Sequence, residues 1–277
     1  MVSQPPLSVT TVCYPLSVSP EFTVERAFEG ISRAGLRLVE IVAIPGYCEH
    51  LQLEQMGDKQ IEHVKRMLQE YGLTANVINV AADLTTQPGV DFLGEAMRVA
   101  YALSISTVVA GIEQANSDEK AADFKRLAPH IASLAEKFGV TVALEIHGGL
   151  INNGVEGARL LEELSLERIK LTYDMANVVY YGGVLPQDDL AMMGGDVGRF
   201  VAHVHLKDKA NMELEDYNFP PFGRGILNFA DVLNLLDKGG YEGPMTLEVE
   251  LDGRPQSPEV VDQALIESCK FLAQFWT

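Results

Sequence analysis

The sequence contains few cysteines, few basic residues and no long apolar run. Its three cysteines, Cys13, Cys48 and Cys269, are odd in number and form no CxxC pair. They predict free thiols in a reducing compartment rather than a disulfide framework or a cysteine zinc site. No stretch approaches the ~18 consecutive apolar residues of a membrane span, and the first residues lack the features of a secretory signal. A cytoplasmic location without a membrane partner is therefore expected.

Basic residues are scarce relative to acidic ones. Lys plus Arg number 21 against 39 Asp plus Glu, which gives a formal net charge of −18. Because such a chain repels phosphate backbones and anionic lipids, nucleic acid is not an expected partner. The 277 residues are 47% apolar and 22% charged, as in globular proteins. No linker or low-complexity tract divides them, which predicts one domain over residues 1–277.

Short β-branched or apolar segments recur along the chain and alternate with amphipathic segments. Each apolar segment predicts a buried parallel strand, and the segments are Leu7–Cys13, Arg37–Val42, Thr74–Val80, Thr107–Ile112, Thr141–Ile146, Ile169–Tyr173, Val201–Leu206 and Met245–Leu251. Eight strands that alternate with helices predict an α/β fold, a single (β/α)8 TIM barrel with an eight-stranded parallel sheet. An open doubly wound sheet is the alternative, but no GxGxxG turn follows the first strand.

Capping residues predict where several helices begin and end. Ser19-Pro20-Glu21 is expected to open the first helix and Gly57-Asp58 the second. Further helices are predicted over 117–139, 228–240 and 257–275. Four glycines follow predicted helices and are expected in the left-handed conformation of a helix end: Gly35, Gly72, Gly139 and Gly239.

Polar residues close the last four predicted strands. The fifth strand ends in Glu145, the sixth in Asp174, the seventh in His203 or His205, and the eighth in Glu248 or Glu250, since residues two apart share a face. In a (β/α)8 barrel these positions meet at one rim, where active sites lie. Buried charges are costly unless they are paired or bind a metal. Three carboxylates and one imidazole suit a divalent ion such as Mn, Mg, Co or Zn.

Five segments carry a resemblance to a known family: residues 144–149 (LEIHGG), 173–177 (YDMAN), 203–208 (HVHLKD), 223–229 (GRGILNF) and 240–248 (GYEGPMTLE). In order and strand placement they resemble the xylose isomerase-like barrel superfamily. Within it, the chain is similar to the sugar phosphate isomerase/epimerase group, which includes ketose 3-epimerases, inosose isomerases and inosose dehydratases. The resemblance covers nearly the whole chain and is most specific over residues 140–250.

The resemblance implies one divalent metal ion, with manganese as the expected metal and Mg, Co or Zn as alternatives. The implied ligands are Glu145, Asp174, His205 and Glu248. Glu145 and Glu248 are also the implied catalytic acid and base, on opposite faces of the substrate. Endonuclease IV-like members carry a metal-binding histidine where this chain has Asn177, so a multi-zinc nuclease site is not expected.

Six further residues are candidates for substrate binding: Glu40, His147, Asn177, His203, Lys207 and Arg224. Lys207 follows the strand-seven histidines and could hold an anion or a departing hydroxyl, although an ion pair at the rim explains it as well. Arg224 lies between two glycines in the long loop after the seventh strand and could pair with an anion or be solvent-exposed. Glu40 closes the second strand, where it could orient a metal ligand, bind sugar or form a salt bridge.

The implied function is a metal-dependent isomerase or epimerase of a sugar or polyhydroxy ketone, acting through an enediolate. If a β-hydroxyl leaves instead, the same chemistry gives a lyase of the inosose or keto-sugar dehydratase type. A non-catalytic sugar-binding barrel is a further alternative. The expected partner is a small carbohydrate or inositol-derived substrate. A homo-oligomer fits such barrels, although no self-association motif is visible.

Overall fold

The computed structural model describes residues 5–251 and 257–276 of the chain. Its strands are β1 (Leu7–Thr10), β2 (Leu38–Ile44), β3 (Cys48–Glu49), β4 (Thr74–Val80), β5 (Thr107–Ala110), β6 (Thr141–Glu145), β7 (Ile169–Asp174), β8 (Val201–Leu206) and β9 (Met245–Leu247). Its helices are α1 (Val24–Arg33), α2 (Asp58–Glu70), α3 (Gln87–Ala102), α4 (Asp118–Phe138), α5 (Gly154–Leu164), α6 (Asn177–Gly182), α7 (Pro186–Met193), α8 (Val197–Phe200), α9 (Phe229–Lys238) and α10 (Pro258–Leu272).

Eight of these strands form a closed parallel barrel. Neighbours pair in chain order from β2 through β4 to β9, and β1 pairs in parallel with both β2 and β9. The two-residue β3 is antiparallel to the end of β2 and lies outside this series. The helices between the strands bury their apolar faces against the barrel. The predicted (β/α)8 barrel is confirmed.

Four strands, β1, β5, β6 and β9, end earlier than predicted at the end where the site lies, and β1 and β9 differ the most. β1 stops at Thr10, because the Thr10 hydroxyl accepts a hydrogen bond from the Val12 amide at 3.3 Å and begins a short 3₁₀ helix. β9 stops at Leu247, so Glu248 lies just beyond it. The Glu248 amide still donates to the Leu206 carbonyl at 2.9 Å, which keeps Glu248 beside the end of β8.

The first helix begins later than predicted. Thr23, rather than the Ser19-Pro20-Glu21 segment, is the N-cap of α1, and its hydroxyl accepts from the Arg26 amide at 3.2 Å. The prediction of a left-handed Gly239 was also wrong: its φ is −78°, and the next residue, Gly240, has φ +74°. The other predicted cap glycines, Gly35, Gly72 and Gly139, do have positive φ.

Within the described residues, no helix is long and apolar enough to cross a membrane. All three cysteines are free thiols, with Cys13 and Cys48 buried and Cys269 partly buried. Burial raises the pKa of the Cys48 and Cys269 thiols to about 11, so both are protonated and unreactive near neutral pH.

A buried ionic contact joins the first and last helices. Asp262 on α10 accepts two hydrogen bonds from the Arg26 guanidinium, at 2.7 and 3.0 Å, and a third from the Tyr14 hydroxyl at 2.7 Å. Both sides of the pair are largely buried, with side-chain exposures of 15% for Arg26 and 11% for Asp262. The contact therefore ties together the two ends of the chain where the barrel closes.

We expect Asp262→Ala to lower the free energy of unfolding by about 3 kcal/mol, because it leaves a buried guanidinium and a buried hydroxyl without their acceptor. Urea denaturation measures the change. The matched control is Asp123→Ala, since Asp123 pairs with Arg126 on the exposed side of α4 and its loss is expected to cost under ~1 kcal/mol. Equal effects in the two variants would contradict the closure role of Asp262.

Candidate metal centre

Four buried side chains meet at the carboxyl end of the barrel. They are Glu145 from the end of β6, Asp174 from the end of β7, His205 from β8 and Glu248 just after β9. One potential ligand atom from each lies within 4.8 Å of all the others. The structure thus brings together the four residues that the resemblance implied, and we call this group the four-residue cluster. A second group within the same distance, Glu40, His203 and His205, shares His205 with it.

Asp174 divides its two carboxylate oxygens between two tasks. Oδ1 accepts hydrogen bonds from the Ala176 and Asn177 amides, both at 2.8 Å, and so holds the turn into α6. Oδ2 is buried and has no hydrogen-bond partner; the Lys207 ammonium and His205 Nδ1 lie 3.9 and 4.0 Å away. A buried carboxylate oxygen without a hydrogen-bond donor costs free energy unless a cation binds it.

His205 is held from both sides of its ring. Nδ1 lies 2.9 Å from Glu145 Oε1 and 3.1 Å from Glu248 Oε2, while Nε2 lies 3.0 Å from Glu40 Oε2. Glu40 is fully buried and also accepts from the Asn79 amide at 3.2 Å. Nδ1 therefore faces the four-residue cluster, and Glu40 supports the opposite nitrogen, as carboxylates commonly do for metal-binding histidines.

His203 lies deeper in the barrel, in a layer with two threonines. Its Nε2 is 2.7 Å from the Thr246 hydroxyl and 3.4 Å from Glu40 Oε2, and its Nδ1 is 3.5 Å from the Thr172 hydroxyl. Burial lowers the pKa of His203 to about 4, although Glu40 opposes the shift. His203 is therefore a neutral residue of the barrel interior.

Lys207 is a buried cation between two carboxylates. Its Nζ lies 3.0 Å from Glu248 Oε1 and 2.6 Å from Glu250 Oε2, and 4.2 Å from the centre of the Phe219 ring. The Tyr217 hydroxyl donates to the other oxygen of Glu250 at 2.6 Å. This chain of contacts links the loop after β8 to the four-residue cluster.

Burial and neighbouring charge shift the cluster's pKa values in opposite directions. Burial alone would raise the pKa of Glu145, but the adjacent His205 outweighs it and lowers the value to about 2. Burial raises the pKa of Glu248 to about 8, with Lys207 and His205 opposing the rise. Burial would lower the pKa of His205, yet Glu40, Glu248 and Glu145 hold it well above its usual range. Without a metal, His205 and Glu248 therefore both carry a proton near pH 7.

The donor set fits one divalent ion. Atoms bound at ~2.1 Å to one ion lie no more than ~4.2 Å apart, close to the 4.8 Å limit within which the four ligand atoms lie. Three carboxylates with one imidazole suit Mn, Mg, Co or Zn. Two further observations fit a metal site. Asp174 Oδ2 has no hydrogen-bond partner, and Glu40 contacts the ring nitrogen of His205 that faces away from the four-residue cluster.

Glu145 and Glu248 of the four-residue cluster line the base of a cavity of about 610 Å³, and Asp174 and His205 are fully buried beside them. Of the sequence candidates for substrate binding, His147, Asn177 and Lys207 line this cavity. Glu40 and His203 are fully buried beneath it, in contact with His205 and with each other. Arg224 lies apart from the lining, with an exposed guanidinium 3.0 Å from Glu267 of α10.

Several cavity residues were missed or left without a role in the sequence analysis. Glu250 is the partner of Lys207, and its position two residues after Glu248 was the available signal. Tyr217 and Phe219 belong to a loop whose mixture of acidic and aromatic residues suggests a cover over the barrel. Nothing in the sequence singles out Tyr47, Tyr180 or Tyr181, because only the folded chain brings them to the mouth.

Comparisons with known proteins agree with this fold. The model of the xylose isomerase-like TIM barrel family matches residues 28–274. An inosose dehydratase from Geobacillus thermodenitrificans is 30% identical over 143 residues, 46% of this chain and 46% of that protein, so this match spans only about half of either chain. An L-ribulose 3-epimerase from Methylomonas sp. is 24% identical over 271 residues, 91% of this chain and 85% of that protein.

A solved structure extends the comparison to three dimensions. The D-allulose 3-epimerase from Methylomonas sp., crystallised in complex with D-allulose, superposes with a TM-score of 0.76. It is 21% identical, and the superposition covers 99% of this chain and 98% of that one. At this identity the likeness concerns the fold.

Metal binding at pH 7 is expected to release protons, because His205 and Glu248 hold protons in the metal-free protein and bind an ion only without them. Isothermal titration of metal-free protein with MnCl₂, in buffers of different ionisation enthalpy, gives the number released. We expect between one and two protons per ion, and an affinity that rises with pH through about 8, where Glu248 loses its proton. A heat of binding that is independent of the buffer would contradict this.

Proposed function

Because the chain belongs to the xylose isomerase-like TIM barrel family, we propose that it is a metal-dependent isomerase or epimerase of a sugar or another polyhydroxy ketone. The observation that carries this proposal is the four-residue cluster at the base of a large cavity, with one Asp174 oxygen left unpartnered. Sugar epimerases and inosose dehydratases among the relatives support the same substrate class.

Glu145, Asp174, His205 and Glu248 would hold one divalent ion, with manganese as the proposed metal. When bound, such an ion supplies Lewis acidity to a carbonyl and a neighbouring hydroxyl of the substrate. Glu40 keeps His205 oriented from below, and Asn177 is fixed at the cavity edge because its side-chain amide donates to the Ile146 carbonyl at 3.0 Å.

Glu145 and Glu248 are suited to move a proton at the substrate carbon. Both line the cavity, and they come from β6 and from the end of β9, with β7 and β8 between them. They can therefore approach a bound substrate from two sides. One carboxylate removes the proton and the other returns one. Return to the opposite face of the same carbon gives an epimer, and return to the neighbouring carbon gives an aldose–ketose isomer.

A lyase is the second candidate, and the position of Lys207 is the observation that favours it. Lys207 lines the cavity, and its ammonium lies 3.0 Å from Glu248 Oε1. An ammonium so placed can donate a proton to a departing hydroxyl while a carboxylate removes the proton from the adjacent carbon. The products are then water and an unsaturated ketone. Inosose dehydratases among the relatives support this candidate.

We expect Glu145→Gln and Glu248→Gln each to slow hydrogen exchange at the substrate carbon by about 10²–10⁴-fold, because each removes one proton-transfer group. The measurement is deuterium incorporation in heavy water by mass spectrometry, with D-allulose, L-ribulose and an inosose as substrates and Mn present. Glu163→Gln is the control, since Glu163 pairs with Lys125 at the surface. Exchange at the wild-type rate in both site variants would overturn the two-carboxylate scheme.

Lys207→Met separates the two candidates. If the protein is a lyase, we expect the rate of water loss to fall by about 10²–10⁴-fold. The absorbance of the unsaturated product measures this rate. Deuterium exchange into the remaining substrate should persist, since Glu145 and Glu248 are intact. Equal loss of both signals, with the metal still bound by mass spectrometry, would contradict a leaving-group role for Lys207.

A further inference from the structure

The cavity is larger than the chemistry at its base requires. Its volume of about 610 Å³ equals that of roughly twenty waters at ~30 Å³ each. It lies in the middle of the ~300–1,000 Å³ range of pockets that enclose drug-sized ligands. A six-carbon sugar held by the four-residue cluster therefore leaves the outer part of the cavity to another group.

The outer part has an aromatic side, formed by Tyr180, Tyr181, Tyr217 and Phe219, which we call the aromatic wall. The rings of Tyr180 and Tyr181 are 4.7 Å apart, those of Tyr180 and Phe219 5.7 Å, and those of Tyr217 and Phe219 4.9 Å. All four residues line the cavity. Such ring-to-ring contacts make a continuous surface that suits another aromatic ring.

The facing side is largely apolar, and the side-chain amide of its polar residue, Asn79, donates to Glu40. Val12, Ile44, Tyr47 and Val80 line the cavity from the ends of β1, β2 and β4 and from the turn after β2. Two hydroxyls of the aromatic wall are already occupied: Tyr217 donates to Glu250 at 2.6 Å, and the Tyr181 oxygen lies 3.4 Å from His147 Nδ1. The outer cavity therefore offers ring faces and methyl groups more than free hydrogen-bonding groups.

The charge of the lining residues disfavours an anionic substituent in the outer cavity. The lining carries the carboxylates of Glu113, Glu145, Glu248 and Glu250 and one ammonium, that of Lys207. That ammonium is already paired with Glu248 and Glu250. A phosphate or carboxylate on the outer part of the ligand would thus lie near carboxylates without an unpaired ammonium to bind it.

We propose that the outer cavity is a subsite for an aromatic ring attached to the sugar, so that the ligand is an uncharged keto-sugar whose aromatic aglycone is attached at a carbon other than the carbonyl carbon. The proposal rests on the proposed function, because the sugar unit is placed at the four-residue cluster. Ring stacking on the aromatic wall and burial of the aglycone between two apolar sides provide the added binding energy.

Titration calorimetry with Mn-loaded protein tests the subsite, with phenyl β-D-glucopyranoside, methyl β-D-glucopyranoside and methyl β-D-cellobioside as probes. We expect the phenyl glycoside to bind about ten-fold more tightly than the methyl glycoside. Equal affinities would overturn the proposal. A cellobioside that binds more tightly than the phenyl glycoside would also overturn it, in favour of a second sugar unit.

Variants of the aromatic wall test its location. In Tyr181→Leu and in Tyr217→Leu, the ratio of phenyl to methyl glycoside affinity should fall to about three-fold or less. The affinity for the methyl glycoside should change little. Tyr101→Leu is the matched control, because Tyr101 on α3 is 68% exposed and contacts Phe138 away from the cavity. A phenyl preference that survives in both wall variants would contradict the assignment.

The same measurement on Glu248→Gln separates this proposal from the proposed function. The ring contacts of the aromatic wall do not involve Glu248, so the phenyl preference should persist in this variant even though proton transfer is slowed. A phenyl preference that persists supports the aromatic subsite, even if the wild-type protein exchanges no substrate proton with heavy water. Proton exchange by the wild-type protein without any phenyl preference would support the proposed enzyme activity and overturn the aromatic subsite.

Discussion

An excess of buried negative charge at the carboxyl end of the barrel governs the structure around it. Five acidic side chains, those of Glu40, Glu145, Asp174, Glu248 and Glu250, surround one ammonium and one imidazole, and Glu248 among them holds a proton near pH 7. Burying charge costs several kcal/mol per ion unless it is compensated. The cations present, the Lys207 ammonium and a protonated His205, compensate only part of it. The residue that remains least satisfied is Asp174, and the missing positive charge is what a divalent ion would supply.

The barrel makes this arrangement possible by presenting alternate residues of each strand to its interior. His203 and His205 both point inward from β8 but at different depths. The deeper one is neutral and lies between Thr172 and Thr246, whereas the shallower one contacts carboxylates at both ring nitrogens. Depth in the barrel, together with the distance to Glu145 and Glu248, separates two histidines that look equivalent in sequence.

The loop after β8 connects the charged base to the aromatic mouth. Asp208 is buried next to Lys207 and accepts hydrogen bonds from the Lys209, Gly223 and Gly225 amides, each at 2.9 Å. A side chain at Gly225 would collide with this carboxylate, since a Cβ there would lie 2.2 Å from Asp208 Oδ1. These bonds shape the segment that carries Tyr217 and Phe219 over the cavity, so one loop links the acid–base groups to the ligand surface.

The periodic apolar segments were enough to predict the (β/α)8 barrel, and the polar residues at their ends predicted carboxylates and a histidine at its rim. The choice of His205 over His203 and of Glu248 over Glu250 was implied only by the family resemblance. The apolar segments sufficed for the barrel because strand burial and strand order are local, repeated properties of the sequence. The start of α1 and the end of β9 were not predictable in the same way. Thr23 caps α1 through its own hydroxyl, and the end of β9 depends on pairing with β8.

The tertiary structure alone decided what each polar residue contacts. It placed Glu40, from the second barrel strand, beneath His205, and it left Arg224 at the surface beside Glu267. It also gathered Tyr47, Tyr180 and Tyr217 around one cavity from three separate segments. The sequence determined which residues lie at the ends of strands, because side-chain alternation and hydrophobic burial act locally. Only closure of the barrel, which joins distant segments, decided the distances between charges and therefore the chemistry that they support.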